Sequence, residues 1–239
     1  MGSGIYTALS GAVANETRVD VLSHNLANAN TVGFQGFKVA LETAKGKVNN
    51  NELVFAGPSA IATDTTAGPI VNTGNPLDIS LSSDVYMRVT QGDRQGYVRG
   101  ATLVPTEDGR LLTAQGQVVL NSDGEPIAIP SGARDIQILA DGTVFADGAD
   151  AGRLNLVQFD NIANLKQEAG RLIVDRGNAG VRPADVPQPI MPGYLEMANV
   201  NAVKSMTDLI SAQHSYSAAI KVIEQFDALE KKAASGLIG

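Results

Sequence analysis

Cysteine and tryptophan are both missing from this 239-residue chain. The first absence removes disulfides, thiolate metal sites and cysteine nucleophiles together, and frees the chain from any redox compartment. With aromatics at only 5%, a core must be built from Val, Ile, Leu and Ala instead of large rings. Basic residues are outnumbered, 18 Lys and Arg against 25 Asp and Glu, for a net charge of −7. No basic stripe concentrates them, which argues against nucleic acid or anionic lipid as a partner. Long apolar runs are lacking too: the most apolar uncharged stretch, around 53–63, is broken by Gly57 and Pro58, so no direct membrane insertion is expected. The first basic residue is Arg18, and no charged start leads into an apolar run. No secretory signal is legible, and any export is expected to take another route.

Catalytic signatures are equally scarce. The two histidines, His24 and His214, fall one in each of two helical segments. Two His on paired helices can ligate a metal, but no Cys joins them and Asp20 and Asp208 complete no recognised ligand set. A polar residue on a partly exposed helix face is the simpler reading, so neither metal nor cofactor is expected. G-x-S-x-G, the P-loop pattern and H-E-x-x-H are all absent. The acidic run "ADGTVFADGADAG" (140–152) holds Asp141, Asp147 and Asp150, yet lacks the spacing and closing Glu of a calcium loop. Hairpin turns explain it without a ligand, and no enzyme is expected.

What the chain does have is period. Ile5, Ala8, Ala12, Asn15, Val19, Leu22 and Leu26 are spaced 3, 4, 3, 4, 3, 4, a coiled-coil seam over residues 5–29 that Leu9 and Val13 widen. A second seam over 202–233 runs through Leu209, Ala212, Tyr216, Ala219, Ile223 and Phe226, with a parallel stripe of Met206, Ile210, Gln213, Ser217 and Ile220 beside it. Together these stripes cover more than the ~100° one partner needs.

Between the helices the period falls to two. Asp-Gly steps at 108–109, 123–124, 141–142 and 147–148 are hairpin turn signals. They separate strand-like runs at 77–81, 85–90, 96–104, 110–113, 117–120, 126–129, 135–139, 143–146 and 153–159. The expected fold is α+β: N- and C-terminal helices (1–30 plus 200–239) pairing as an antiparallel coiled-coil stalk, with an inserted antiparallel β domain (75–182). Residues 31–74 are expected as an extended connector and 183–199, with four prolines, as a stiff return linker.

A stalk about 35–45 Å long, poor in charge, with Asn15, Gln213 and Ser217 in its stripes, is thin in buried area and closes a long loop. It is marginal unless other copies complete it. "NLANANTVGF" (25–34) then has two readings. Its amides serve a helix array, bonding carbonyls that lack helical partners, with Thr31, Gly33 and Asn199/Asn201 at the joint between stalk and body. Otherwise they make an ordinary C-cap and a loop.

Four blocks carry a family resemblance. "LSHNLANANTVGFQGFK" (22–38) is similar to the signature of bacterial flagellar basal-body rod and hook proteins, through Asn25, Leu26, Ala27, Asn28, Thr31, Gly33 and Phe34. "TGNPLDISLSSDVYMRV" (73–89), "GYVRGATLVPTEDGRLLTAQGQVVL" (96–120) and "GYLEMANVNAVKSMTDLISAQHSYSAAIKVIEQFD" (193–227) follow in the family's order. The resemblance implies a structural axial subunit of the basal-body rod that transmits torque. It implies terminal helices that form an inner tube and a β domain that forms an outer layer. Its partners are copies of itself and other rod proteins, it leaves through the flagellar type III export apparatus without a cleaved signal, and it lies in the rod spanning the periplasm. Length favours the family's proximal-rod members over the distal rod or hook. The different-class alternative is a β-rich enzyme or a carbohydrate-binding module. The assembly interface expected from period and resemblance takes Ile5, Leu9, Ala12, Val19, Leu22, Asn25, Leu26, Asn28, Thr31, Gly33 and Phe34 from the N-terminal part. From the C-terminal part it takes Asn199, Met206, Leu209, Ile210, Tyr216, Ile220, Ile223 and Phe226.

Overall fold

Small and aliphatic residues without proline favour helix at both ends of the chain. In the computed structural model, α1 (Gly2–Ala27) and α2 (Ala202–Gly236) occupy these segments. The structure describes residues 2–48, 51–82, 84–168, 172–185, 187 and 189–236. Asn201 caps α2: its Oδ1 accepts from the Lys204 amide at 2.9 Å, the bond that satisfies an otherwise orphaned helix donor. Ion pairs Lys204–Asp208 and Lys231–Asp227, both four apart, lie on its outer surface, each adding a few tenths of a kcal/mol.

The two helices belong to one compact unit with residues 36–65. That segment, expected as a connector, folds into a long antiparallel hairpin of β1 (Phe37–Val48) and β2 (Asn51–Thr63), which packs against α1. Pro58 and Gly57 read as breakers in sequence because proline cannot donate to a ladder. The hairpin absorbs them with a bulge: pairing jumps from Ala40↔Ala60 to Leu41↔Pro58, leaving Ser59 as the extra residue beside the proline.

The second unit, residues 30–35 and 66–199, is built of antiparallel β strands with a short 3-10 turn, Ile162–Asn164, in keeping with the α+β reading. Its strands are β3 (Ile70–Asn72), β4 (Asp78–Leu81), β5 (Tyr86–Gln91), β6 (Arg94–Val98), β7 (Gly100–Pro105), β8 (Leu111–Thr113), β9 (Val118–Val119) and β10 (Ile136–Ile138). There follow β11 (Thr143–Ala146), β12 (Ala149–Arg153), β13 (Leu156–Phe159), β14 (Leu165–Gln167), β15 (Ile173–Asp175), β16 (Val181–Pro183), β17 (Ile190–Pro192) and β18 (Tyr194–Glu196). The main sheet runs β14-β15-β6-β5-β9-β8-β7-β4-β17, with β13 joining β5 to β16. The order β10-β11-β12 makes a second sheet, and β3 pairs with β18.

Segment 183–199, expected as a return linker, holds the end of β16 and the paired strands β17 and β18. Pro183 and Pro192 are the last residues of β16 and β17, where a missing N–H costs the ladder little. The single run expected over 96–104 is two strands: β6 stops before Arg99 and β7 begins at Gly100, where a Cβ would come within 2.7 Å of the Ile79 carbonyl oxygen. The run expected over 126–129 makes only isolated bridges, Leu120↔Pro126 and Arg110↔Ala128.

The core is aliphatic, as the low aromatic content requires. Ile79, Met87, Leu103, Leu111, Ile127 and Val144 are fully or almost fully buried in it, each contributing about 1.5–3 kcal/mol by transfer from water. A smaller cluster gathers the rings, with Phe159 edge-on to Tyr86 and Tyr97 at centroid distances of 5.1 and 4.8 Å. The Asp-Gly signals hold as turns. Asp147 and Gly148, at φ of 48° and 81°, join β11 to β12 in a two-residue loop, the left-handed pair such a hairpin demands.

Candidate assembly interface

α1 and α2 pack against each other. Ala12 and Ala212 are buried, while Ile5, Val19, Leu22, Leu26, Leu209, Tyr216, Ile223 and Phe226 are half-buried. Contact is close at Gly4, where an added Cβ would lie 2.8 Å from the Phe226 ring. A second face of α1, through Ala14, Val21 and Asn25, is also buried.

The outer faces differ. Tyr6, Leu9 and Val13 on α1, and Val203, Met206 and Ile210 on α2, are large, apolar and exposed, Leu9 at 48%, Met206 at 51% and Ile210 at 55%. Further along, Gln213 and Ser217 are exposed and Ile220 is half-buried. Two apolar stripes left open to water, one on each helix, are the informative feature, since single exposed apolar residues are ordinary.

The amides of 25–34 divide by task. The Asn25 side chain is buried and forms a two-way clasp with the first residue of β1. Its Nδ2 donates to the Phe37 carbonyl at 2.8 Å and its Oδ1 accepts the Phe37 amide at 2.8 Å. Asn28 turns back on the helix end, Nδ2 donating to the His24 carbonyl at 2.8 Å. The Asn28 bond closes the helix end as a C-cap does, and the two Asn25 bonds secure the hairpin.

Thr31, Gly33, Phe34 and Asn199 gather in the β unit. Gly33, in the left-handed region at φ 66°, donates its amide to the Glu196 carbonyl at 2.6 Å. The Phe34 amide donates to the Thr31 carbonyl at 3.2 Å, and the Asn199 amide to the Phe34 carbonyl at 3.3 Å. Asn199 Nδ2 also donates to the Thr66 carbonyl at 2.8 Å. Phe34 itself is buried.

Beside this cluster lies a group that sequence reasoning missed as a pair. Glu196 and Arg99 form a buried ion pair, Arg99 Nε and Nη2 each 3.3 Å from Glu196 Oε2, with side chains 3% and 5% exposed. Glu196 Oε1 accepts the Gly68 amide at 2.9 Å. Glycine is required there, because a Cβ would stand 2.0 Å from the Met197 carbonyl oxygen. The Arg99 guanidinium carbon lies 5.9 Å from the Tyr86 ring centroid. Burial pushes the Tyr86 phenol up, with Arg99 opposing. Both Arg99 and Glu196 stand in blocks that resemble the family, but their 97-residue separation hides the pairing.

The acids of the 140–152 loop are each occupied by backbone donors. Asp141 accepts from Thr143, Asp147 from Arg134 and Asp135, and Asp150 from Gly152. His24 and His214 are exposed, the former with its ring 5.3 Å from that of Phe37. Among the described residues no cluster of three or more His, Cys, Asp and Glu suits a metal, and no helix is long and apolar enough to cross a membrane.

Comparison with known proteins agrees with the geometry. Residues 5–35 match the family described as "Flagella basal body rod protein", 81–146 the "Flagellar hook protein FlgE/F/G D1 domain", and 191–236 the "Flagellar basal body rod FlgEFG protein C-terminal". The flagellar basal-body rod protein FlgF of Escherichia coli (strain K12) is 33% identical, with 95% of each chain covered. FlgF of Rhizobium meliloti (strain 1021) is 29% identical over 100% of this chain and 99% of its own. The flagellar basal-body rod protein FlgG of Bacillus subtilis (strain 168) is 30% identical over 93% and 94%. The chain belongs to the flagellar basal-body rod protein family, as a FlgF-like structural subunit and not an enzyme.

Proposed function

We propose that this subunit builds the rod through the outer faces of its terminal helices. The two helices act as an antiparallel coiled-coil stalk that is incomplete alone. Further copies, and other rod proteins, cover the apolar stripes that a single chain leaves in water, one through Leu9 on α1 and one through Met206 and Ile210 on α2. Those exposed stripes are the observation that supports the reading. The expected interface of 19 residues then has two layers. Seam residues such as Ala12, Leu26, Ile223 and Phe226 hold the stalk, and the stripe residues join it to neighbours.

Asn28 closes the end of α1 and Asn25 holds β1, while Thr31, Gly33, Phe34 and Asn199 order the β unit. In this role the stalk carries torque along the axis and the β unit spaces the layer outside it. A proximal-rod position, passage through the flagellar type III export apparatus without a cleaved signal, and a rod spanning the periplasm complete the proposal. With no native cysteine, Met206→Cys offers a clean probe. The thiol should react with a maleimide in the purified single chain and be protected in isolated basal bodies. Equal labelling in both states would remove the reading.

A further inference from the structure

The β unit holds a concavity of about 370 Å³ whose lining contains three arginines, Arg88, Arg153 and Arg182, and no acid. In a chain of net charge −7, that local reversal of sign is the first observation. The second concerns Arg88. It sits mid-strand in β5, half-buried, with its guanidinium carbon 5.8 Å from the Tyr97 ring centroid. Its Nε is buried and has no hydrogen-bond partner among the described residues. A buried donor on a charged group is costly when left unpaired, and the fork of a guanidinium is matched by a carboxylate.

The other two arginines are only partly engaged. Arg153 gives Nε to the Asp141 main-chain carbonyl at 3.0 Å. Arg182 meets the Asp160 carboxylate at 3.1 Å in a pair that is more than half exposed on both sides, which solvent weakens. Beside these charges the lining has an apolar part, Leu154, Leu156 and Val181, along with the polar Ser122 and Asn155. The volume falls in the range of small-ligand sites. Entry by strand addition is closed off, because β16 ends in Pro183, which has no amide hydrogen to offer.

We infer that this concavity is a binding site for a carboxylate carried on an apolar stem, the chemistry of an acidic peptide side chain. Arg88, Arg153 and Arg182 supply the positive field that draws the carboxylate in, and the aliphatic part of the wall takes the stem. All the residues lie in the β unit, and none is among those of the proposed helical interface.

The test uses the full chain and three probes: acetyl-Leu-Glu-amide, acetyl-Leu-Gln-amide and inorganic phosphate, followed by isothermal titration calorimetry and backbone amide resonances. The Glu peptide should bind with a dissociation constant in about the millimolar range, weaken with added salt, and shift the amides of 88, 153–157, 181, 182 and 184. The Gln peptide should bind at least about tenfold more weakly, since it lacks the charge-assisted fork. Arg88→Gln should cost the Glu peptide about tenfold or more. The double change Arg153→Gln with Arg182→Gln, at two exposed positions, should also weaken it and serves where Arg88→Gln disturbs folding. Equal binding by the Glu and Gln peptides, or retention of binding in both variants, would overturn the assignment. So would phosphate binding as tightly as the Glu peptide, since the aliphatic wall would then recognise nothing.

Discussion

Removing the Asn25 amide isolates one device in the fold. In Asn25→Ala, the Phe37 amide and carbonyl each lose a 2.8 Å partner. A polar group left unsatisfied in a buried place costs about 1–3 kcal/mol. Phe37 is itself half-buried, so water recovers part of this, and about 2–4 kcal/mol for the pair is the working figure. Most of it should appear locally, where β1 begins. Native-state hydrogen exchange at the Phe37 amide should therefore accelerate about thirtyfold or more, while amides of the β unit, such as those of β5 and β7, keep their protection. Asn25→Asp makes the assignment sharper. It keeps an oxygen for the Phe37 amide but turns the second oxygen toward the Phe37 carbonyl, and it buries a charge. It should be at least as damaging as alanine. Unchanged exchange at Phe37 in the alanine variant, or a harmless aspartate, would refute the clasp.

Three further outcomes follow from the same structure. Glu196→Gln leaves the Arg99 charge buried without its counter-ion, so chemical denaturation should report a loss of about 3–5 kcal/mol in the β unit; Arg99→Met combined with Glu196→Met should recover much of it. Asp141 is held below the usual carboxylate range, chiefly by the Thr143 amide bond. Its contribution is thus present above the ordinary Asp pKa of about 4 and is lost as pH falls through the lower folded value. Asp141→Asn keeps an acceptor but cannot titrate, so the acid-induced drop in its unfolding midpoint should be smaller than in the wild type. His214→Ala, at an exposed position on α2, should change stability by no more than about 0.5 kcal/mol and leave swimming intact.

Much of this architecture is written locally. The seam spacings mark both helices, because burial on one face imposes a period near 3.5. Asp147-Gly148 marks a hairpin because only a few residue types accept its dihedrals. The hairpin over Phe37–Thr63 escapes notice for a physical reason. Its second strand contains Gly57-Pro58, which signals a break, and the bulge that tolerates it appears only once the partner strand is placed. Pro183 and Pro192 mislead in the same way, since they sit at strand ends. At the candidate site, the amide-rich turn is visible in sequence, but the partner of Asn25 is a backbone group twelve residues on, which no side-chain pattern encodes. The Arg99–Glu196 pair and the arginine-lined concavity are set by tertiary pairing of distant strands, and the sequence carries no local trace of either.

The assembly account turns on a distinction between the single chain and the rod. Ile210 is 55% exposed in one chain, so Ile210→Asp should shift the thermal midpoint of the purified subunit only slightly, by the ~0.5 kcal/mol of a surface change. In an array that covers this face, the same carboxylate is buried without a partner, at a cost of several kcal/mol per subunit. The measurement is swimming, together with recovery of the variant in isolated basal bodies. A subunit that folds normally yet forms no rod and gives no motility is the predicted result. Wild-type swimming with full incorporation would contradict the account.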